Sequence, residues 1–225
     1  MKGAISSLIA DGIRSLISGI GTAIEDTREF RKEMSLLKEV ADENSVSFDK
    51  TKDAYQKLLA TRGDEGAVTE TLNNLLTAGF SEKNLDLITS GVEGLAIRFK
   101  DTLSQEGIAD SIQEWIGSNG ESLSGNFAEA LERLGYNLDD VKEKTKGMTK
   151  EQRQNWVMST LSKEGLVELS DEYRKNNADA IALSDAQFRV TDAMAKIGEK
   201  AEPVLTAVKD AGPNACPPMV IGVGI

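Results

Sequence analysis

Apolar side chains recur every three or four residues along nearly the whole chain, with charged side chains between them. This is the period of an amphipathic α-helix, in which one face repeats every 3.6 residues. The segment after Ser81 shows it well, with apolar side chains at Leu85, Ile88, Val92, Leu95, Ala96 and Phe99. A half-buried strand would need a sustained two-residue alternation of β-branched residues, and none occurs. The sequence therefore predicts an all-α fold, a multi-helix bundle or array of about nine helices with short, Gly-terminated connections.

Local signals predict where several of these helices begin and end. Gly79, Gly135 and Gly165 each follow an apolar run, as expected of the left-handed residue that ends a helix. Ser81 is expected to cap the next helix. Thr149, with Gln152 three residues later, is typical of a capping box. Two of the turns also resemble each other, because an aromatic residue follows the glycine in both 75–80 and 131–136; a common helix-to-helix connection accounts for this better than a repeat.

The longest helix is predicted near the carboxyl end. It is expected from about Ala178 to about Glu202, and an apolar pattern continues past Pro203. Proline is absent before that position, which suits long helices. The apolar positions of this helix are Ile181, Leu183, Phe188, Val190, Met194 and Ile197.

The first 26 residues are predicted to form a separate amphipathic helix. Isoleucine and leucine recur at helical spacing from Ile5 to Ile24, and such a face needs a partner. Packing on its own domain or on a second copy is the favoured interpretation. Membrane contact through residues 4–24 is the alternative, although the polar face lacks the usual basic residues. Asp11 and Arg14 interrupt the apolar run, which disfavours a spanning helix or a cleaved signal.

Composition narrows the function classes. The 225 residues include 37 acids and 26 bases, for a formal net charge of −11, and no basic run exceeds two residues. Nucleic-acid binding is therefore disfavoured. The sequence has no histidine and a single cysteine, Cys216, which excludes His-dependent triads, zinc sites of Cys and His, and an internal disulfide.

The candidate chemical motifs are weak. Residues 42–53 place Asp42, Asn44 and Asp53 as in a calcium loop, but Val46 and Ser47 stand where an oxygen ligand and the turn glycine are needed. Gly19-Ile20-Gly21 lacks the third glycine and the lysine of a phosphate loop. The acid pairs Asp139/Asp140 and Asp171/Glu172 are expected on solvated faces. We therefore predict that the chain is not an enzyme and has no catalytic, cofactor-binding or metal-binding residues and no cofactor.

About nine tenths of the chain, from Gly3 to Val208, resembles the N-terminal helical region of tail tape measure proteins of long-tailed phages and prophages. The resemblance is carried by the local sequences of several stretches and by their order along the chain, namely residues 6–25, 30–35, 74–80, 127–135, 176–177, 193–198 and 203–208. The resemblance implies a structural protein that self-associates, contacts tail-tube proteins and chaperones, and helps set tail length. It also implies the host cytoplasm during assembly and the virion tail afterwards. Members of that family are usually far longer, so this chain would be a fragment, the product of a truncated prophage gene, or an isolated domain.

The last stretch, residues 209–225, resembles a different family. Cys216-Pro217-Pro218 and the glycines after it are similar to the alpha region of iron–sulfur fumarases and tartrate dehydratases, in which such a cysteine binds a four-iron cluster. That cluster needs three cysteines, and one thiolate cannot hold it. The expected organisation is therefore an N-terminal helix (1–26), a tape-measure-like helical domain (27–208) and a tail (209–225) that is a fusion or truncation scar. An inactive hydro-lyase remnant is the alternative function.

Overall fold

The computed structural model describes residues 25, 27–62, 64–100 and 102–211. Over these residues the chain forms ten α-helices and no strand, which confirms the all-α prediction of about nine helices. In chain order they are α1 (Arg28–Glu43), α2 (Phe48–Arg62), α3 (Glu65–Thr77), α4 (Glu82–Arg98), α5 (Gln105–Gly117), α6 (Gly125–Arg133), α7 (Leu138–Thr145), α8 (Lys150–Lys163), α9 (Leu166–Asn176) and α10 (Ala178–Ala211). The predicted helix Ile5–Ile24 and residues 212–225 of the tail lie outside the described residues.

The described chain divides into two units. The larger unit is Lys32–Phe188, and the other contains described residues 25, 27–31 and 189–211. In that second unit, Arg31 Nη1 donates to Glu202 Oε2 at 2.6 Å. The hydrogen bond and the charge of Arg31 lower the pKa of the Glu202 carboxyl. The start of α1 is thereby tied to the last third of α10.

The larger unit is organised around α4. This helix packs against α2, α3, α5, α8 and α9. Its Leu85, Ile88, Val92 and Leu95 are buried, as the apolar pattern predicts. Two glycines on α4 let neighbouring elements come very close. A Cβ at Gly91 would lie 2.7 Å from Leu161 Cδ1, and a Cβ at Gly94 would lie 2.0 Å from the backbone oxygen of Leu166.

The glycine-ended turns follow one hydrogen-bonding scheme. Gly79 has a φ of 83° and donates its N–H to Leu76 O at 2.8 Å, while Phe80 N–H donates to Leu75 O at 3.3 Å. Gly135, with a φ of 90°, ends α6 by the equivalent pair of bonds. This is the Schellman arrangement, in which a left-handed residue satisfies the last carbonyls of a helix. The likeness of 75–80 and 131–136 is thus a shared helix ending.

The predicted residues stand at the starts of α4 and α8, but only one of the two predicted side-chain caps is formed. The capping box is confirmed: Gln152 N–H donates to Thr149 Oγ1 at 3.2 Å, and Thr149 N–H donates to Gln152 Oε1 at 2.8 Å. Ser81 is the N-cap residue of α4, but its side chain makes no capping hydrogen bond, so the predicted side-chain cap is wrong. The N–H of Asn84, three residues on, donates instead to the backbone oxygen of Ser81 at 2.9 Å.

Candidate association surface on the last helix

The apolar side chains of α10 repeat at a regular interval. Val190, Ile197 and Val204 are seven residues apart, and Met194 lies between the first two. Seven residues are nearly two helical turns, so side chains at this spacing fall in one row along the helix. The four residues Val190, Met194, Ile197 and Val204 are called the outer stripe below.

The outer stripe is exposed. Its side chains are 59% (Val190), 37% (Met194), 54% (Ile197) and 56% (Val204) accessible. Six large apolar side chains are exposed among the described residues, and five of them lie on α10, since Leu183 precedes Val190 by seven residues. Single exposed apolar residues are ordinary, whereas their concentration on one helix makes this row a candidate interaction surface.

The opposite side of α10 is buried. Phe188 and Ala195 are 6% exposed, and Gly198 is also buried. Phe188 packs on Tyr55 with ring centroids 5.9 Å apart, and the Lys52 Nζ lies 5.7 Å from the Phe188 ring. The helix therefore already has a buried face, and the outer stripe is a second, exposed apolar face.

The two edges of the outer stripe differ in charge. At about 100° per residue, one edge carries the bases and the other carries uncharged residues. The basic edge is Arg189, Lys196 and Lys200, and the neutral edge is Gln187 and Thr191. On the basic edge, Lys196 Nζ is 2.8 Å from Asp192 Oδ2 one turn earlier.

Two buried polar clusters in the larger unit were not predicted. Glu93 on α4 is fully buried and accepts hydrogen bonds from Ser170 Oγ and from Arg174 Nε, the latter at 3.0 Å. Both donors lie on α9, so this pair fastens α9 to the central helix. Removing one partner of a buried ion pair is strongly destabilising. We therefore assign this cluster a structural role.

The second cluster is centred on Arg153, which is 2% exposed. Its Nη1 donates to Met148 O at 2.6 Å and to Asn119 O at 2.9 Å. Asn119 has a φ of 57° in the turn after α5. Carbonyl oxygens just past a helix end carry partial negative charge, so they receive the guanidinium favourably. Arg153 thus locks the turn after α5 to α8.

Perturbed pKa values can mark an active site, so the shifted groups matter here. Burial, followed by the charges of Glu65 and Glu33, raises the pKa of Tyr55 well above its usual range. Burial also raises the pKa of Glu65, with Glu33 and Asp64 adding to the effect. Thr69 Oγ1 donates to Glu33 Oε2 at 3.1 Å. These shifts arise where α1, α2 and α3 pack together, and packing accounts for them.

A cavity of about 260 Å³ lies between α2, α9 and α10 within the larger unit. It is lined by Asp53, Lys57, Arg174 and Asp185, among others. Three of these charges have partners: Lys57 Nζ is 2.6 Å from Asp86 Oδ1, Arg174 Nε donates to Glu93 Oε2 at 3.0 Å, and Gln56 Nε2 donates to Asp185 Oδ1 at 2.9 Å. The bond from Lys57 lowers the pKa of the Asp86 carboxyl. The two bases that line the cavity are thus held in ion pairs with neighbouring helices, as expected at a helix junction.

The motifs weighed in the sequence lie apart from one another. Residues 42–53 are divided between the end of α1 and the start of α2, and Asp42 forms an ion pair with Lys38 at 2.5 Å. Asp139 and Asp140 are exposed in the first turn of α7, where both N–H groups donate to Asn137 Oδ1. Asp171 and Glu172 are exposed on α9. Gly19-Ile20-Gly21 and Cys216 lie outside the described residues.

Among the described residues, no group of three or more Asp, Glu, Cys or His side chains could hold a metal ion. Within the same ranges, no helix combines the length and apolar character needed to cross a membrane. Comparisons of the chain with protein-family models, with curated proteins and with solved structures gave no significant match.

Proposed function

We propose that this chain is a structural protein of a phage tail, similar to the N-terminal helical region of tape measure proteins, and that it acts through the association of several copies. The exposed outer stripe on α10 is the observation that carries the proposal. The sequence resemblance over residues 3–208 supplies the biological setting.

Burial of the exposed apolar surface on α10 would stabilise an association of copies. Removing a Val or Ile side chain from water is worth about 1.5–3 kcal/mol when burial is complete. Each β-branched member of the outer stripe still exposes more than half of its surface. A second copy offers an identical row at the same spacing, so pairing two rows removes apolar surface from water on both copies.

The number of layers sets the expected strength. Heptad patterns support a coiled coil when they continue for about three to four heptads. The outer stripe supplies layers at Val190, Ile197 and Val204, and Leu183 stands one heptad earlier on α10. We therefore expect reversible association that depends on protein concentration. In a tail tube, the high local concentration of copies would favour it.

In this proposal the protein contributes contacts and length, with no catalytic step. At about 1.5 Å per residue, the 34 residues of α10 extend about 50 Å. A rod of fixed length is suited to tail assembly and tail length determination, with tube proteins and chaperones as partners. The proposed location is the host cytoplasm during assembly and then the virion tail.

Light scattering coupled to size-exclusion chromatography tests the proposal. We expect the mass of the wild-type chain to rise above the 24.3 kDa of one copy as concentration increases. Ile197→Glu should weaken association at least about tenfold, which corresponds to about 1.4 kcal/mol. The matched control is Thr206→Glu, which adds the same charge nine residues later, on the opposite side of α10.

The outcomes separate clearly. Association that is lost in Ile197→Glu and kept in Thr206→Glu supports the proposal, provided that circular dichroism shows equal helix content. A wild-type chain that stays monomeric over the whole concentration range contradicts it. Association that is insensitive to Ile197→Glu would place the contact elsewhere and remove the observation on which the proposal rests.

The hydro-lyase remnant is the alternative from another class. It rests on Cys216 and its neighbours, and anaerobic reconstitution with iron and sulfide tests it. We expect no visible absorbance from an iron–sulfur cluster, because a single thiolate cannot supply the ligands. A stable cluster spectrum that disappears in Cys216→Ser would favour the alternative.

A further inference from the structure

We infer that α10 contains a hinge at Pro203, about which residues 203–211 open from the helix without disturbing residues 178–202. This motion lies within one copy and does not require that copies associate, so it goes beyond the proposed function. Three features of the segment point to it: the proline itself, an extra hydrogen bond beside it, and the exposure of the described side chains that follow it.

The proline interrupts the hydrogen bonding of α10. Pro203 lies inside this helix, which begins at Ala178 and ends at Ala211. Proline has no backbone N–H, so the carbonyl of Glu199 loses the donor that residue 203 supplies in a regular helix. The proline ring also crowds that carbonyl, and sharp bends in helices are found at such residues. The ladder of α10 is therefore weakened at one defined point.

The turn after Pro203 carries a second feature that favours bending. Thr206 Oγ1 donates to Glu202 O at 2.9 Å, on the carbonyl that in a regular helix receives the N–H of residue 206. A threonine hydroxyl that bonds back to the carbonyl four residues earlier slightly destabilises a helix and often bends it. The carbonyls of Glu199 and Glu202 thus both depart from the regular pattern, within one turn of each other.

The part of α10 before the proline is anchored. Three of its positions are buried, namely Phe188, Ala195 and Gly198. Arg31 Nη1 donates to Glu202 Oε2 at 2.6 Å, which joins the residue immediately before Pro203 to the start of α1. Residues 178–202 are therefore held by side-chain contacts in addition to their helical hydrogen bonds.

The part of α10 after the hinge lacks such anchors among the side chains that the structure describes. These side chains are all exposed, namely Pro203, Val204, Thr206 and Ala207. Residues 203–211 are also fewer than the roughly 12–15 that a helix needs to persist alone in water. The segment keeps its helical form by continuing the anchored helix before it, and the proline weakens that continuation.

The hinge divides the outer stripe. Val190, Met194 and Ile197 precede Pro203, whereas Val204 follows it. Val204 therefore lines up with the other three only while residues 203–211 are helical, and α10 reaches its full length only in that state. Opening of the segment removes the last layer of the row and leaves the three anchored residues in place.

Hydrogen–deuterium exchange read by mass spectrometry tests the hinge in the full chain, at a concentration at which light scattering gives the mass of one copy. We expect the protection factors of residues 204–211 to be at least about tenfold lower than those of residues 192–198, with a step at the proline, because local opening exposes only the amides of the segment that opens. Pro203→Ala restores the missing N–H and should raise protection of residues 204–211 at least about tenfold while leaving residues 192–198 unchanged. Lys200→Ala, on the preceding turn, is the matched control: it also introduces alanine but keeps the proline, so the step should remain.

The contrary outcomes are distinct. Ordinary fraying gives a gradual loss of protection toward residue 211 that Pro203→Ala does not change, and that result overturns the hinge. If Pro203→Ala raises the protection of residues 192–198 together with that of 204–211, α10 opens as one unit and the hinge is also overturned. A chain that stays monomeric but shows the step at Pro203 keeps the hinge and loses the proposed function, so the two failures are separable.

Discussion

The contact between α4 and the start of α9 predicts a large effect from one added methyl group. A Cβ at Gly94 would lie 2.0 Å from Leu166 O, 2.7 Å from its carbonyl carbon and 3.0 Å from its Cα. Ordinary van der Waals contact begins at about 3.4 Å, so Gly94→Ala requires a displacement of about 1.4 Å. The obstacle is backbone, and no rotation of a side chain can relieve it.

The magnitude follows from opposing terms. Overpacking a core typically costs about 1–3 kcal/mol, and a backbone clash belongs at the upper end. Replacing Gly by Ala inside a helix returns about 1 kcal/mol. Displacing α9 would also stretch the bonds from Ser170 and Arg174 to Glu93. We therefore expect Gly94→Ala to lower the free energy of unfolding by about 2 kcal/mol or more.

Urea denaturation followed by circular dichroism at 222 nm measures this free energy by linear extrapolation. Two other glycines give a graded comparison. A Cβ in Gly91→Ala would lie 2.7 Å from Leu161 Cδ1 and 2.9 Å from Leu161 Cβ, a milder overlap than the 2.0 Å approach to backbone at Gly94, so its cost should be smaller. Gly117→Ala meets nothing within 4 Å and should be neutral or stabilising by up to about 1 kcal/mol. A Gly94→Ala variant as stable as wild type would refute the close packing of α4 and α9.

Three further predictions follow from single contacts. Glu93→Gln leaves the Arg174 guanidinium without its carboxylate and should lower the free energy of unfolding by about 3 kcal/mol in the same denaturation assay; a loss below about 1 kcal/mol would contradict the buried pair. Thr149→Ala removes one half of the capping box of α8 and should cost about 1 kcal/mol, whereas Ser81→Ala, whose side chain makes no cap bond, should cost less. Burial and the bond to Glu164 raise the pKa of Tyr136 to about 12, so the folded chain favours the neutral phenol and stability should fall as pH rises from about 10 to about 12. Absorbance at 295 nm should show a phenolate transition near pH 12 that is missing in Tyr136→Phe, and an unchanged transition in that variant would rule out the assignment.

Features encoded by a few adjacent residues could be predicted from the sequence. Gly79 and Gly135 end helices because the left-handed conformation and its two hydrogen bonds involve only the preceding turn. Thr149 and Gln152 form their capping box for the same reason. The apolar period of α4 identified Leu85, Ile88, Val92 and Leu95 as buried, because that period depends only on residues within the helix.

Features that depend on distant residues could not be predicted. Glu93 and Arg153 stand on helices among other charged residues, and the usual interpretation of such residues is a solvated face. Their burial depends on Arg174, 81 positions away from Glu93, and on Asn119, 34 positions away from Arg153. No pattern within one helix encodes either partner.

The sequence of α10 alone also does not determine which of its apolar residues form the exposed outer stripe. The sequence placed Phe188, Val190, Met194 and Ile197 together as the apolar positions of the last helix. Their spacing fits two rows, and only the packing of Phe188 against Tyr55 determines that Val190 and Ile197 face outward. The sequence also motivated self-association by the apolar face of Ile5–Ile24, which lies outside the described residues and stays a prediction.

The most direct test of association through the outer stripe is the oxidation rate of Met194, measured by mass spectrometry after a brief peroxide treatment. Met194 lies within the outer stripe, and Met148, partly exposed in the turn before α8, serves as the internal control. Oxidation of an exposed methionine slows when a partner covers it. We predict that Met194 oxidation slows as concentration raises the mass above one copy, while the Met148 rate stays constant. A Met194 rate that does not change while the mass rises would contradict the assignment of the contact to the outer stripe.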